Sequence, residues 1–166
     1  MPEQKSDIQI LQKEIKGIKI AMLTTSDKDG QLKSRPMATQ ETEFDGTVWF
    51  FTRDESPKVN AIENNEQVNL AYADPQGNRY VSIAGAATIV RDRAKIKELW
   101  TPAMKAWFPD GEDDPQLALI RVDAEGAQYW DFASKTLVQI AGFVKAVATG
   151  QPLNTAENKH KITFNH

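Results

Sequence analysis

The chain has 166 residues, of which 40% are hydrophobic and 26% charged, which suits one globular domain with a proper core and leaves no room for a second. A formal net charge of −3 and the lack of a sustained Lys/Arg stripe argue against nucleic acid or an anionic membrane as a partner. With no cysteine and only two histidines, His160 and His166, the sequence disfavours thiol nucleophiles, the usual zinc sites and a Ser-His-Asp triad.

No apolar run approaches the roughly 20 residues of a membrane span, so we expect no membrane association and a cytoplasmic location. The absence of cysteine fits that compartment, although a secreted protein without disulfides would look the same. The nine glycines form neither a dinucleotide-binding fingerprint nor a P-loop. Any difficult chemistry would therefore depend on a bound cofactor.

The first third of the chain predicts a helix followed by strands. An amphipathic helix is capped by Ser6 or Asp7 and stopped by Gly17. The strands predicted next are residues 18–25, 32–44 and 47–52. Turn residues separate them, so we expect the three strands to form a meander.

The rest of the chain alternates short helices and strands. The predicted elements are a helix at 57–64, strands at 68–72 and 80–91, helices at 92–100 and 101–107, strands at 117–122 and 127–132, and a helix from Ser134 to about Gly150. We predict one domain over residues 1–150 and a C-terminal tail over 151–166. Short strands between turns are typical of a barrel or sandwich, and we predict a mainly β protein with an antiparallel barrel and flanking helices.

Two of the predicted strands, at residues 18–23 and 48–51, carry apolar residues at both odd and even positions, and so on both faces. Such strands are covered on both faces, by the barrel interior on one side and by a helix or another subunit on the other. The pattern therefore favours a dimer.

The turn after Thr52 contains the groups of an anion site. Ser56 as N-cap, Pro57 at the first helical position and Lys58 would start a helix whose unpaired N–H groups point toward the end of the strand. A phosphate monoester would suit these donors. The alternative is an ordinary helix start with a solvated Lys58, and the acidic residues before Ser56 would repel an anion unless they point away.

A second cluster is Ser34-Arg35-Pro36-Met37, on the strand that we expect to pair with residues 47–52. Arg35 could donate hydrogen bonds to an electron-rich ring or a phosphate, and Met37 could pack on an aromatic plane. Pro36 lacks a ladder donor and predicts an edge strand or a bulge. The alternative is an edge strand with a solvated arginine.

Several motifs together carry a family resemblance. They are Arg35-Pro36-Met37, Trp49-Phe50-Phe51-Thr52, Ser56-Pro57-Lys58, Asn69-Leu70-Ala71-Tyr72 and Tyr80-Val81-Ser82-Ile83-Ala84-Gly85. In this order, over residues 8–132, the chain resembles the FMN-binding split-barrel flavoproteins related to pyridoxamine 5'-phosphate oxidase. The later motifs Trp107-Phe108-Pro109-x-Gly111 and Tyr129-Trp130 are similar to the bacterial general stress protein branch.

The resemblance implies a split β-barrel homodimer with two FMN molecules at the subunit interface. The positions that match holders of the FMN phosphate are Thr52, Ser56 and Lys58. The positions that match the strand lining the isoalloxazine ring are Ser34, Arg35, Pro36 and Met37. Phe51 and Tyr80 match positions near the ring or the ribityl chain.

Two departures from the oxidase bear on activity. Pro57 stands where the oxidase has an arginine, and the Arg/His run that grips the phosphate of the vitamin substrate is missing after Trp130. We therefore do not expect oxidation of pyridoxamine 5'-phosphate. The leading hypothesis is a flavin-dependent oxidoreductase in which no protein side chain serves as acid or base. The alternatives are a non-catalytic flavin-binding or stress-response module and a cofactor-free dimeric interaction domain.

Trp100 and Trp107 allow two interpretations. Either could wall a flavin or substrate pocket, because aromatic faces suit a planar ring. Tryptophans at helical spacing are more often part of a core or a dimer interface, and the sequence favours the interface for both.

Overall fold

The computed structural model describes residues 2–40, 42–132 and 159–164. The helices are α1 (Pro2–Ile15), α2 (Pro57–Asn64) and α3 (Arg93–Leu99), with a 3₁₀ helix at Pro102–Ala106. The strands are β1 (Ile20–Ser26), β2 (Leu32–Ala38), β3 (Thr47–Arg53), β4 (Gln67–Asp74), β5 (Arg79–Val90), β6 (Leu117–Asp131) and β7 (Lys159–Thr163). Within these residues, no helix has both the length and the apolar composition needed to cross a bilayer.

The strands form one antiparallel sheet in the order β2-β1-β4-β5-β6-β3, with β7 also pairing with β6. The sheet curls so that β2 and β3, at the two ends of this order, contact each other without pairing. We call the gap between them the seam. The prediction of a mainly β, antiparallel split barrel is confirmed, and Pro36 lies on an edge strand as expected because it can give no ladder hydrogen bond.

The predicted meander is wrong in its third strand. β1 and β2 do form a hairpin, with Leu23 opposite Arg35. β3 pairs instead with β6, where Thr52 lies opposite Ala118. Phe44, in the connection from β2 to β3, is buried in the main core, so this connection does not close a tight hairpin.

Two further predictions fail near the C-terminus. The strands expected at 117–122 and 127–132 are a single long strand, β6, which a register shift between Ala84 and Gly85 on β5 accommodates. The last sixteen residues were expected to be a tail, whereas β7 pairs with β6 and buries Ile162 and Phe164. The helix predicted from Ser134 lies outside the described residues, and the domain boundary at residue 150 stays a prediction.

The apolar residues form two clusters. Fully buried side chains of the main core are Leu11, Leu23, Phe50, Leu70, Ile83 and Ile120. A second cluster beneath the 3₁₀ helix contains Phe51, Ile96, Met104, Leu117 and Leu119. The main core also receives α1, which begins at Pro2, so the caps predicted at residues 6 and 7 lie inside this helix. It stops before Gly17, which has a φ of +80° that favours glycine.

Candidate functional site

A cavity of about 100 Å³ opens at the seam. Its lining comes from β2, β3, α2 and the 3₁₀ helix with the residues that follow it. The lining residues are Pro36, Met37, Ala38, Phe51, Lys58, Met104, Trp107 and Phe108. Of these, Lys58 alone is charged, so the cavity is an apolar slot with a cation in its wall.

The turn between β3 and α2 brings two hydroxyl groups together. Thr52 is buried, with 1% of its surface exposed, and its Oγ1 lies 3.2 Å from Oγ of Ser56. Ser56 is the N-cap of α2, as predicted, and Pro57 follows at the helix start. The Ser56 side chain makes no capping hydrogen bond, so its hydroxyl is not committed to the first turn of the helix.

Arg35 is held next to this turn by the hairpin register. It lies opposite Leu23 and therefore faces inward, and its Nη1 donates a 2.7 Å hydrogen bond to Oγ1 of Thr25. Sequence reasoning missed Thr25. The hairpin pattern could have indicated this contact. Thr25 lies two residues beyond Leu23 on β1, and such a diagonal neighbour is within reach of a long side chain on the paired strand.

The electrostatics of the site follow from two nearby cations. Burial lowers the pKa of the Arg35 guanidinium. Burial, and then the charge of Arg35, lowers the pKa of the Lys58 ammonium. Among the described residues, neither cation forms a salt bridge. A bound anion would stabilise both charged forms, so the arrangement of the two cations suits an anionic ligand.

One of the two acidic residues before Ser56 does not oppose an anion. Arg91 donates to both carboxylate oxygens of Asp54, from Nη2 at 2.7 Å and from Nε at 2.9 Å, and also contacts Glu63. These hydrogen bonds hold the pKa of Asp54 below its usual range. The carboxylate of Asp54 is thus compensated by Arg91, and Glu55, the other acidic residue before Ser56, is exposed.

The structure does not bring two of the predicted residues to the cavity. Ser34 is exposed on β2 and its Oγ lies 2.6 Å from Oγ1 of Thr24. Tyr80 is on β5, three strands away from β2 in the sheet, which is about 14 Å at the usual strand spacing. One chain therefore brings the turn after Thr52 to the seam but leaves these two residues outside.

The two tryptophans for which the sequence favoured an interface have different surroundings. Trp100 packs edge-on against Phe51, with ring centroids 5.6 Å apart at 84°. Trp107 lines the cavity and is 54% exposed. The sequence also missed Met104 and Phe108 as lining residues, because only the packing of the 3₁₀ helix against β3 places them there.

Known proteins resemble this chain in sequence and in fold. The family model described as "Pyridoxamine 5'-phosphate oxidase like" matches residues 6–154. Protein bli-3 of Neurospora crassa is 33% identical over 144 residues, which cover 81% of this chain and 69% of that protein. General stress protein 26 of Bacillus subtilis is 32% identical over 114 residues, which cover 65% of this chain and 80% of that protein.

Solved structures with the same architecture include a general stress FMN/FAD binding protein from Xanthomonas citri. It is 31% identical, with a TM-score of 0.65 over 76% of this chain and 89% of that one. The family-model match spans most of the sequence. The chain belongs to the pyridoxamine 5'-phosphate oxidase-like family.

Proposed function

We propose that this protein binds FMN at the seam and acts as a flavin-dependent oxidoreductase. One observation carries the proposal: Arg35 and Lys58 lie close together beside an apolar cavity, and neither forms a salt bridge with a carboxylate in the part of the chain that the structure describes. The relative from Xanthomonas citri, described as FMN/FAD binding, supports a flavin as the ligand.

The phosphate of FMN fits the turn chemically. A dianion needs charge and donors, and the turn offers the ammonium of Lys58, the hydroxyls of Thr52 and Ser56, and the start of α2. Because the charge of Arg35 acts on Lys58, we place Arg35 on the phosphate side of the ligand. FMN, with a terminal phosphate monoester, suits this turn.

The ring of FMN fits the apolar part of the seam. Met37 and Phe51 are buried there and present the flat, apolar surfaces that an aromatic ring system needs. The bound flavin would supply the electron and hydride chemistry, while the chain positions it and limits the access of water.

A homodimer is part of the proposal. Ligand pockets usually measure about 300–1,000 Å³, so the cavity of about 100 Å³ in one chain is only part of a flavin site. Ile20 and Met22 on β1 and Leu32 on β2 are exposed large apolar residues, 40%, 38% and 70% accessible. A second copy that covers this face would complete the site. We also propose that the protein is located in the cytoplasm.

A non-catalytic flavin-binding role, in sensing or storage, is the second candidate. It is favoured by the lining of the cavity, in which Lys58 is the one group that could exchange a proton. Reduction of the bound flavin by NADH or NADPH, followed by reoxidation by an added acceptor, separates the two. A flavin that binds but is neither reduced nor reoxidised would support the non-catalytic role.

The binding test compares FMN with riboflavin, which lacks the phosphate. Lys58→Ala should weaken FMN binding by about ten- to a hundredfold, the cost of one charge-assisted contact at about 1.5–3 kcal/mol. Riboflavin binding should stay the same. The control is Lys28→Ala, in the exposed turn between β1 and β2. Equal losses for the two ligands would exclude the turn as the phosphate site, and a protein that takes up no FMN would exclude the proposed function.

A further inference from the structure

Trp107 differs from two other tryptophans of the chain in what covers its ring. Trp100 packs against Phe51, and Trp49 lies near two cations, with Nζ of Lys95 4.9 Å from its ring centroid and Arg121 at 5.8 Å. Trp107 has no aromatic or cation–π partner among the described residues, and 54% of its surface is accessible. The face of its indole is open beside a cavity.

The backbone that carries Trp107 is firmly held. Its N–H donates to the carbonyl of Met104 at 3.0 Å, and the N–H of Phe108 donates to the same carbonyl at 2.8 Å. Met104 is buried, and its sulfur accepts a hydrogen bond from Nε2 of Gln40. The backbone at Trp107 is therefore fixed beside the cavity, which limits the entropy lost on binding to that of the side chain.

Phe108, which follows Trp107 in the chain and also lines the cavity, belongs to a group of packed aromatic rings. Phe108 lies 6.2 Å from Phe51, centroid to centroid, and Phe51 in turn packs against Trp100. Phe51 belongs to β3 and faces the seam where we place the flavin ring. Trp107 therefore lies at the cavity beside an aromatic group that runs from Phe108 through Phe51 to Trp100, without its indole packing on one of these rings.

We propose that Trp107 determines substrate specificity and that the substrate is a planar aromatic molecule whose ring stacks on its indole. The inference rests on the proposed FMN binding, because the substrate would lie between Trp107 and the cofactor. Aromatic pairs prefer offset-stacked or edge-to-face arrangements that a saturated ring cannot make. The lining around Trp107 adds the apolar side chains of Pro36 and Ala38, so a flat, largely apolar molecule fits this mouth.

The test measures binding of anthraquinone-2-sulfonate to the FMN-loaded protein by equilibrium dialysis. Cyclohexanesulfonate is the matched ligand, since it carries the same charged group on a ring that is not aromatic. We expect the wild-type protein to bind the first and not the second. Trp107→Leu should weaken anthraquinone-2-sulfonate binding by about tenfold, Trp107→Phe should restore most of it, and Trp49→Leu should change nothing.

The same samples give the results that would overturn the inference. Unchanged binding by Trp107→Leu, or equal binding of the two sulfonates by the wild type, would exclude Trp107 as a stacking surface. Loss of FMN from Trp107→Leu would show that the indole packs on the cofactor, and a smaller mass in sedimentation would show that it lies in the dimer interface. A protein that binds FMN but no probe overturns this inference alone; one that binds no FMN overturns the proposed function with it.

Discussion

The chain partly buries two pairs of like charges, and the two pairs are stabilised in different ways. Arg35 and Lys58 are cations at the seam, and the cavity opens beside them. Glu14 on α1 and Asp131 at the end of β6 are carboxyl groups joined by a hydrogen bond. Like charges at close range destabilise each other unless a counterion or a proton intervenes.

In the carboxyl pair, a proton bound by one of the two groups removes the repulsion. Glu14 is 3% exposed, and its Oε2 has no hydrogen-bond partner among the described residues. Burial, followed by the hydrogen bond and charge of Asp131, raises the pKa of Glu14 to about 7, against opposition from Lys13 and Arg79. One proton therefore replaces one negative charge at neutral pH or below.

The cation pair cannot be relieved in this way. A guanidinium does not lose its proton at any pH at which proteins are studied, so Arg35 stays charged. Relief has to come from an anion outside the chain, and the cavity gives that anion a way in. The comparison shows that two properties decide how a like-charge pair is stabilised: the sign of its charges and its access to solvent. A buried carboxyl pair can bind a proton, whereas a cation pair beside a cavity can bind an anionic ligand.

The largest expected effect comes from reversing one charge of the cation pair. Lys58→Glu replaces an attraction for the phosphate by a repulsion, so FMN affinity should fall by about a thousandfold, or about 4 kcal/mol. Isothermal titration with FMN measures the loss. The same variant should unfold no more easily than the wild type, because the new carboxylate can pair with Arg35. Retention of FMN affinity within tenfold would contradict the role of Lys58.

The carboxyl pair should reveal itself through pH. Because the folded pKa of Glu14 lies at about 7, above the ordinary value of 4.5, its proton stabilises the fold below pH 4.5 and is lost as the pH rises through 7. The free energy of unfolding should fall by up to about 3 kcal/mol across this window. The side chain of Glu14→Gln cannot ionise, so the variant should not lose this stability. Between pH 5 and pH 8, the free energy of unfolding of the variant, measured by urea denaturation, should rise relative to that of the wild type by the same amount.

A matched variant controls for the other carboxylates of the chain. Glu66→Gln changes an exposed glutamate in the same way and should show no such gain. If Glu14→Gln and the wild type keep a constant difference in stability at every pH, Glu14 titrates normally and the carboxyl pair carries both charges.

The smallest expected effect is stabilisation of the flavin-free protein by inorganic phosphate. At a concentration about five times its Kd, phosphate should add about 1 kcal/mol to the stability of the fold. A thermal melt in phosphate and in chloride at equal ionic strength detects the shift. Lys58→Met should abolish it and Glu14→Gln should keep it. An equal shift in the Lys58→Met protein would show that phosphate binds elsewhere.

The elements that the sequence predicted well are those fixed by neighbours in the chain. The N-cap of α2 at Ser56, the cap of α3 at Asp92 and the end of α1 before Gly17 depend on a few adjacent residues. The turn that carries Thr52, Ser56 and Lys58 was predicted for the same reason, since these residues lie within one strand-to-helix connection.

The elements that the sequence missed depend on distant partners. The pairing of β3 with β6 joins Thr52 to Ala118, and the carboxyl pair joins Glu14 to Asp131. No local pattern specifies such contacts, because a strand with apolar residues at both parities fits several partners equally well. The seam, and with it the cavity beside Trp107, follows from that pairing and was therefore out of reach.

The pairing of β3 with the late strand β6 also sets an order of assembly during synthesis. Strands β2, β1, β4 and β5 find their partners within residues 20–90. β3 has been made by then but has no partner until the ribosome has released residues 117–131. Through that interval Trp49, Phe50 and Phe51 form an uncovered apolar edge, the kind of surface that chaperones bind and that nascent chains aggregate through.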